Sequence, residues 1–203
     1  MGLEKPHICT NIVSEIALRR MKTDLSKFNN DWYSPGAGGI KRLLWYFTNV
    51  VFFINPLNPV SGLKVALLRL FGAKIGKGVV IKPAVNIKYP WFLEIGDYAW
   101  VGEEVWIDNL QKVTIGAHAC ISQGALLLCG SHNYKKEAFD LIATPIVLEQ
   151  GAWVGAKAIV TGGLTIGSHA VLSAGSVATS NLLPYTIYQG NPALAKRSRT
   201  IES

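Results

Sequence analysis

A six-residue beat governs most of this chain. Aliphatic residues fall at Ile75, Ile81 and Ile87, at Ile95, Val101 and Ile107, and at Ile115, Ile121 and Leu127. After a gap the beat resumes at Leu148, Val154, Val160, Ile166 and Leu172, with Ala178 closing it. Four residues after most of these stands something small or β-branched, as at Val79, Ala99, Ala125, Ala158 and Ser176. A glycine often follows the aliphatic directly, as at Gly76, Gly96, Gly116 and Gly155. A hexapeptide period of this kind specifies a parallel β-helix. Such a coil has little interior room for a substrate, so its chemistry must sit outside, where the beat breaks.

With three hexapeptides to a rung, the first side starts at 75, 95, 115, 148 and 166, the second at 81, 101, 121, 154 and 172, and the third at 87, 107, 127, 160 and 178. A perfect rung holds eighteen residues. The first two rungs each carry two extra, and the third carries fifteen extra. Every insertion falls on the third side, so the breaks stack rung on rung. The predicted fold is all-β, a parallel β-helix of about five coils spanning 75–189, with 190–203 as a C-terminal tail. Residues 1–74 form an N-terminal extension and helical cap. Within it, 41–54 read as a helix or buried segment and 61–71 as a short helix. Ser61 is the expected N-cap of the latter and Gly72 its stop, with Lys64 and Arg69 on its polar side. The helical piece is expected to cover the first coil, because an uncovered end exposes unpaired backbone groups.

Composition removes several classes. The 203 residues are 49% hydrophobic and 16% charged, which excludes a disordered chain. The formal charge of +7 is spread thinly, without a basic run or a nucleic-acid motif, so nucleic acid is not an expected partner. A basic surface suits anionic small molecules or an anionic membrane face. Cys9, Cys120 and Cys129 form no CxxC pair, which disfavours a disulfide framework or a zinc site. The N-terminal residues lack the apolar core of a signal peptide, and the apolar run 43–54 is too short to span a bilayer. The expectation is a cytoplasmic protein. Lys41 and Arg42, ahead of that apolar run, allow a peripheral contact with the inner face of the membrane; core packing is the competing reading of the same run.

The large insertion, CGSHNYKKEAFDLIATP at 129–145, carries His132. Loops lifted from a rigid scaffold collect functional groups, and histidine suits general-base work near neutral pH. By register Lys112 lies one rung below, and Asp108 and Asn109 share the stacked side. Asp108 is the candidate to orient the imidazole; the alternative is that Asp108 and Asn109 serve the inserted corner. His118 and His169 each occupy the outward fourth slot of a hexapeptide and read as solvated, and His7 lies in the N-terminal segment. Cys129 and Ser131 flank His132, but nothing completes a nucleophilic set. Histidines 118, 132 and 169 are not placed to converge on zinc, and no P-loop or GxGxxG is present.

The hexapeptide run, the CGSHNY break and the stretch 153–193 resemble the left-handed β-helix acyltransferases. LLRLFGAKIGKGVVIKPAVNIKYPW (67–91) with SQGALLLCGSHNY (122–134) is similar, more narrowly, to the colanic acid biosynthesis O-acetyltransferase family. The left hand comes from this resemblance alone. It implies a homotrimer with active sites between subunits, acetyl-CoA as co-substrate, no required metal, and a sugar or lipid-linked glycan hydroxyl as acceptor. His132 matches the family's catalytic base in a direct transfer without an acyl-enzyme. Ala156 and Ala174 match small residues along the pantetheine track, whose alternative role is simple coil packing. Thr179 matches a position near the nucleotide, where Ser180 and Leu194 replace basic residues of the family; Arg197 and Lys196 remain to meet the 3′-phosphate. Asp108, Asn109 and Lys112 are the candidate acceptor-binding residues. Gly102 and Leu110 occupy positions where some relatives hold an acceptor-binding Asn and Asp, which disfavours a simple galactoside or maltose. Trp91, Trp100 and Trp106 can stack on sugar rings or pack against the N-terminal segment or a neighbouring subunit. The remaining alternatives are another small hydroxyl acceptor, or a non-catalytic scaffold.

Overall fold

The computed structural model describes residues 22–202; His7 and Cys9 lie outside them. The chain divides into two compact units, the segment through Asp31 with His132–Leu141, and Trp32–Ser131 with Ile142 onward.

The larger unit opens with helix α1 (Gly39–Thr48), which runs on as a π-helical stretch over Asn49–Ile54. Helix α2 (Ser61–Leu70) follows. Then come the coils, three short strands to each: β1 (Lys74–Ile75), β2 (Val80–Ile81) and β3 (Asn86–Ile87); β4 (Leu93–Ile95), β5 (Trp100–Val101) and β6 (Trp106–Asp108); β7 (Val113–Ile115), β8 (Cys120–Ile121) and β9 (Leu126–Leu128). A ribbon of β10 (Gly130–His132) and β11 (Leu141–Ala143) interrupts the winding. Two more coils follow, β12 (Ile146–Leu148), β13 (Trp153–Val154), β14 (Ile159–Thr161), and β15 (Thr165–Ile166), β16 (Val171–Leu172), β17 (Val177–Ala178). Finally β18 (Thr186–Gly190) pairs with β16 and starts a sixth turn, and β19 (Ala193–Ser198) folds back antiparallel on β18. GNPA (190–193) is thus the turn of a hairpin, and the segment read as a tail is paired strand.

The register follows the beat. Ile75, Ile95, Ile115, Leu148 and Ile166 stack on the first face, Ile81, Val101, Ile121, Val154 and Leu172 on the second, and Ile87, Ile107, Leu127, Val160 and Ala178 on the third. All but Ile75 are buried, as are the small residues four places on. The glycine after the aliphatic has a steric cause. A Cβ on Gly96 would lie 2.5 Å from the Ala117 nitrogen of the next coil, so a side chain there would force the coils apart. The fourth slot is the turn residue with positive φ: His118 at +58° and His169 at +57°. Both histidines point outward as expected, yet they are not merely solvated. His118 stacks on Tyr98 at 5.4 Å between centroids and His169 on Tyr185 at 4.8 Å, so rings of successive coils pack at one corner.

The cap forms where expected, and side chains carry it. The first coil has no coil before it, so its edge groups need partners. The Trp45 indole donates to the Ile87 carbonyl, and Asn49 reaches Asn86 and the Ile87 amide. The Arg69 guanidinium donates to the carbonyls of Ile75 and Gly76. The buried Lys64 ammonium donates to the carbonyls of Asn58 and Lys82. Ser61 does not cap α2; its hydroxyl accepts from the Ile81 amide at 2.8 Å, and Val60 holds the cap position. The hydroxyl serves the orphan amide of the coil edge in place of its own helix. Gly72, at φ +102°, ends α2 as expected.

Candidate active site

The smaller unit contains His132 at the end of β10. The loop after it closes on itself: the Asn133 amide donates to the Asp140 carbonyl at 2.8 Å, and Lys136 and Asp140 form an ion pair at 2.8 Å. The segment before Asp31 adds Phe28, whose ring lies 5.8 Å from that of His132, and Lys27, paired with Glu137 at 2.9 Å. His132 is half-buried. Its ring lies flat on that of Phe139, 4.4 Å away and tilted by 8°. Its Nδ1 is 2.9 Å from the Phe139 carbonyl oxygen. A carbonyl only accepts, so Nδ1 carries the proton, and in the neutral ring the Nε2 lone pair is left to take another. Phe139 has φ +52°, the left-handed region that bulky residues rarely occupy. One residue in an uncommon conformation therefore supplies both the stacking face and the orienting acceptor.

Asp108 is not that orienter. Its buried carboxylate takes the Lys88 ammonium at 2.9 Å. Asn109, fully buried, bonds through its side chain to both the amide and the carbonyl of Tyr89, one coil below. It braces the inserted corner. Lys112 pairs with Glu94 at 2.9 Å, and Lys74 with the same carboxylate at 2.8 Å. These two ammonium groups hold the Glu94 carboxyl below its ordinary range. Burial pushes the Cys129 thiol up to about 11, so it stays protonated and packs as a small apolar group. Trp91 donates to the Pro35 carbonyl at 2.7 Å and stacks on Tyr89, so it packs on the N-terminal segment.

The larger unit has a groove of about 580 Å³ along the second face of its later coils. Trp153, Val171 and Ile187 line it, together with the turn residues Ala156 and Ala174. Arg197 and Arg199 of the C-terminal segment also line it. A groove lined by apolar side chains, small turn residues and two arginines suits a long ligand with an anionic head. Ala156, Ala174 and Arg197 therefore meet at one place. Thr179 and Lys196 are exposed and are not among the lining residues. The register explains Lys196: Ala195 lies opposite Tyr188 and Arg197 opposite Ile187, so Lys196 is the extra residue of a bulge in β19. Arg199 was missed, although the R-x-R spacing on a strand was its signal. Its guanidinium also donates to the carbonyls of Gly151 and His169. Trp153, whose indole donates to Ser122 at 2.9 Å, was likewise missed.

No protein-family model matches the chain. Among curated sequences it is 42% identical over 176 residues to "Putative colanic acid biosynthesis acetyltransferase WcaF" of Escherichia coli K12, covering 87% of this chain and 97% of that one. It is 25% identical over 130 residues to the galactoside O-acetyltransferase of the same organism, covering 63% and 64%. Among solved structures, the hexapeptide-repeat acetyltransferase VCA0836 of Vibrio cholerae, complexed with acetyl-coenzyme A, superposes with TM-score 0.73 at 25% identity, covering 91% of this chain and 98% of that one. A galactoside acetyltransferase in complex with coenzyme A superposes with TM-score 0.71 at 22% identity, covering 82% and 86%, a likeness of fold.

Proposed function

The chain belongs to the hexapeptide-repeat acetyltransferases that use acetyl-CoA, and from that premise we propose that it acetylates a sugar hydroxyl during assembly of a colanic-acid-like exopolysaccharide, with His132 as general base. The observation that carries this reading is the His132 imidazole with Nδ1 held by the Phe139 carbonyl and Nε2 left to accept. Nε2 takes the proton of the acceptor hydroxyl as that oxygen attacks the thioester carbonyl. The tetrahedral adduct then collapses, the carbon–sulfur bond breaks, and the proton passes from the imidazolium to the departing thiolate. Both substrates are bound together and no acyl-enzyme forms.

The groove of Ala156, Ala174 and Arg197 is the proposed track for acetyl-CoA. Alanine there leaves room for a narrow pantetheine arm, and the guanidiniums suit phosphate. The proposed assembly is a homotrimer. A peripheral contact with an anionic membrane, near a lipid-linked acceptor, completes the reading; it is supported by the uncharged apolar outer face of α1 and its continuation.

Purified protein with acetyl-CoA and candidate glycans should release CoA. His132→Ala should lower kcat by about 10²–10⁴-fold while acetyl-CoA still binds. Undiminished turnover in that variant overturns the assignment of the base.

A further inference from the structure

A second cavity, of about 380 Å³, opens between α1 with its π-helical continuation and the third face of the first two coils. Trp106 stands outward from β6, its residue 46% exposed, and no aromatic ring stacks on it among the described residues. Tyr46 of α1 offers a second exposed ring. Lys88 and Asp108 line the cavity as an ion pair 2.9 Å apart. Arg42, also in the lining, has no carboxylate partner among the described residues. Two cations and one carboxylate leave the cavity with one net positive charge. The cavity gathers an open aromatic face, a donor beside an acceptor, and a guanidinium with no carboxylate partner among the described residues.

Each of these matches one part of a charged sugar. A pyranose lays its C–H face on an aromatic ring. Adjacent hydroxyls are donors and acceptors at once, and suit an ammonium beside a carboxylate. A guanidinium forks onto a carboxylate or phosphate with two parallel hydrogen bonds. The volume falls within the usual range for small-molecule sites.

We infer that this cavity binds an anionic pyranoside, a sugar unit bearing a carboxylate or a phosphate. Trp106 lies under its ring, the Lys88–Asp108 pair meets its hydroxyls, and Arg42 meets its anionic group. That this sugar belongs to the acceptor rests on the function proposed above; the binding itself does not.

The test is binding by saturation-transfer NMR, without acetyl-CoA, of three probes: methyl β-D-glucuronide, glucose 1-phosphate and methyl β-D-glucoside. At least one anionic probe should bind about tenfold more tightly than the neutral one, the order expected of a charge-assisted contact. Which of the two binds identifies the anion. Arg42→Gln should bring that probe down to the neutral level, and Lys77→Gln, outside the cavity, should leave it unchanged. Trp106→Ala should weaken all three, with Trp106→Phe restoring most of the loss. Equal binding of all three probes overturns the inference, as does an Arg42→Gln variant that binds like the parent, or an equal loss in Lys77→Gln. CoA release measured in parallel keeps the two readings apart. Retained probe binding without any turnover sinks the acetyl-transfer reading alone; turnover with Arg42-independent binding sinks this inference alone.

Discussion

On the proposed chemistry His132 serves as a base only while one ring nitrogen is held and the imidazole plane is fixed, and Phe139 supplies both. Its carbonyl fixes the Nδ1 proton and its ring fixes the imidazole plane. Phe139→Ala keeps the carbonyl but removes the stacking face, so the ring gains freedom to swing. On the proposed chemistry, kcat should fall about tenfold, within the range that small misplacements cause, with KM for acetyl-CoA unchanged. Steady-state kinetics with saturating acceptor checks this; an unchanged kcat would assign the stacking to loop stability alone. The proposed base, His132, could be singled out because it sits in the one long break in the beat. Phe139 was not, because its contribution is a backbone carbonyl and an uncommon φ, which no motif records. Asp108 misled for a related reason. Register places it on the stacked side with the breaks, but register does not reveal pairing, and Lys88, one rung below at the same register, takes the carboxylate.

At the scale of elements, strand register was readable from the sequence because the inward positions, all but Ile75, are buried and a one-residue slip would turn them outward. The cap was readable only as a need. Lys64 and Arg69 looked like the polar side of an amphipathic helix, yet both turn inward to the first coil's open edge. Lys64→Met keeps the apolar stem and strips two carbonyls of their donor. It should cost about 1–3 kcal/mol, seen as a lower thermal midpoint with unchanged far-ultraviolet dichroism. The first face carries a second, weaker device, Glu94 between Lys74 and Lys112. The two ammonium groups lower its pKa on folding, so the unfolded chain holds the extra proton at mildly acidic pH. The stabilisation is complete above the unfolded carboxylate value of about 4.3 and is lost as pH falls through the lower folded value. Glu94→Gln should therefore be less stable than the parent at pH 7, by under about 1 kcal/mol because the pairs are partly exposed. That gap should close on acidification below pH 4; a gap independent of pH would show that the ammonium groups contribute nothing through charge.

For the whole molecule, the outstanding feature is an apolar surface without charge. One side of α1 and its continuation buries Trp45, Asn49 and Phe53 on the first coil, so the core-packing reading of 41–54 holds for that face. The other side presents Ile40, Leu43, Leu44, Phe47, Val50 and Val51 to solvent, with no charged residue in the stripe. Soluble surfaces rarely leave such a stripe uncovered. No helix among the described residues is long and apolar enough to cross a membrane, so a contact with lipid would be by insertion of a face into the headgroup boundary. The formal charge of +7 would add attraction to anionic headgroups. The protein should therefore float with vesicles containing phosphatidylglycerol and much less with neutral phosphatidylcholine vesicles, and 1 M salt should weaken the difference. The pair Leu43→Glu and Phe47→Glu should abolish flotation while CoA release on a water-soluble acceptor persists, because neither residue belongs to the His132 loop or the groove. Flotation unchanged in the double variant would remove the stripe from the contact. A change of oligomeric mass in the same variant, read by light scattering, would assign the stripe to the packing of one copy against another.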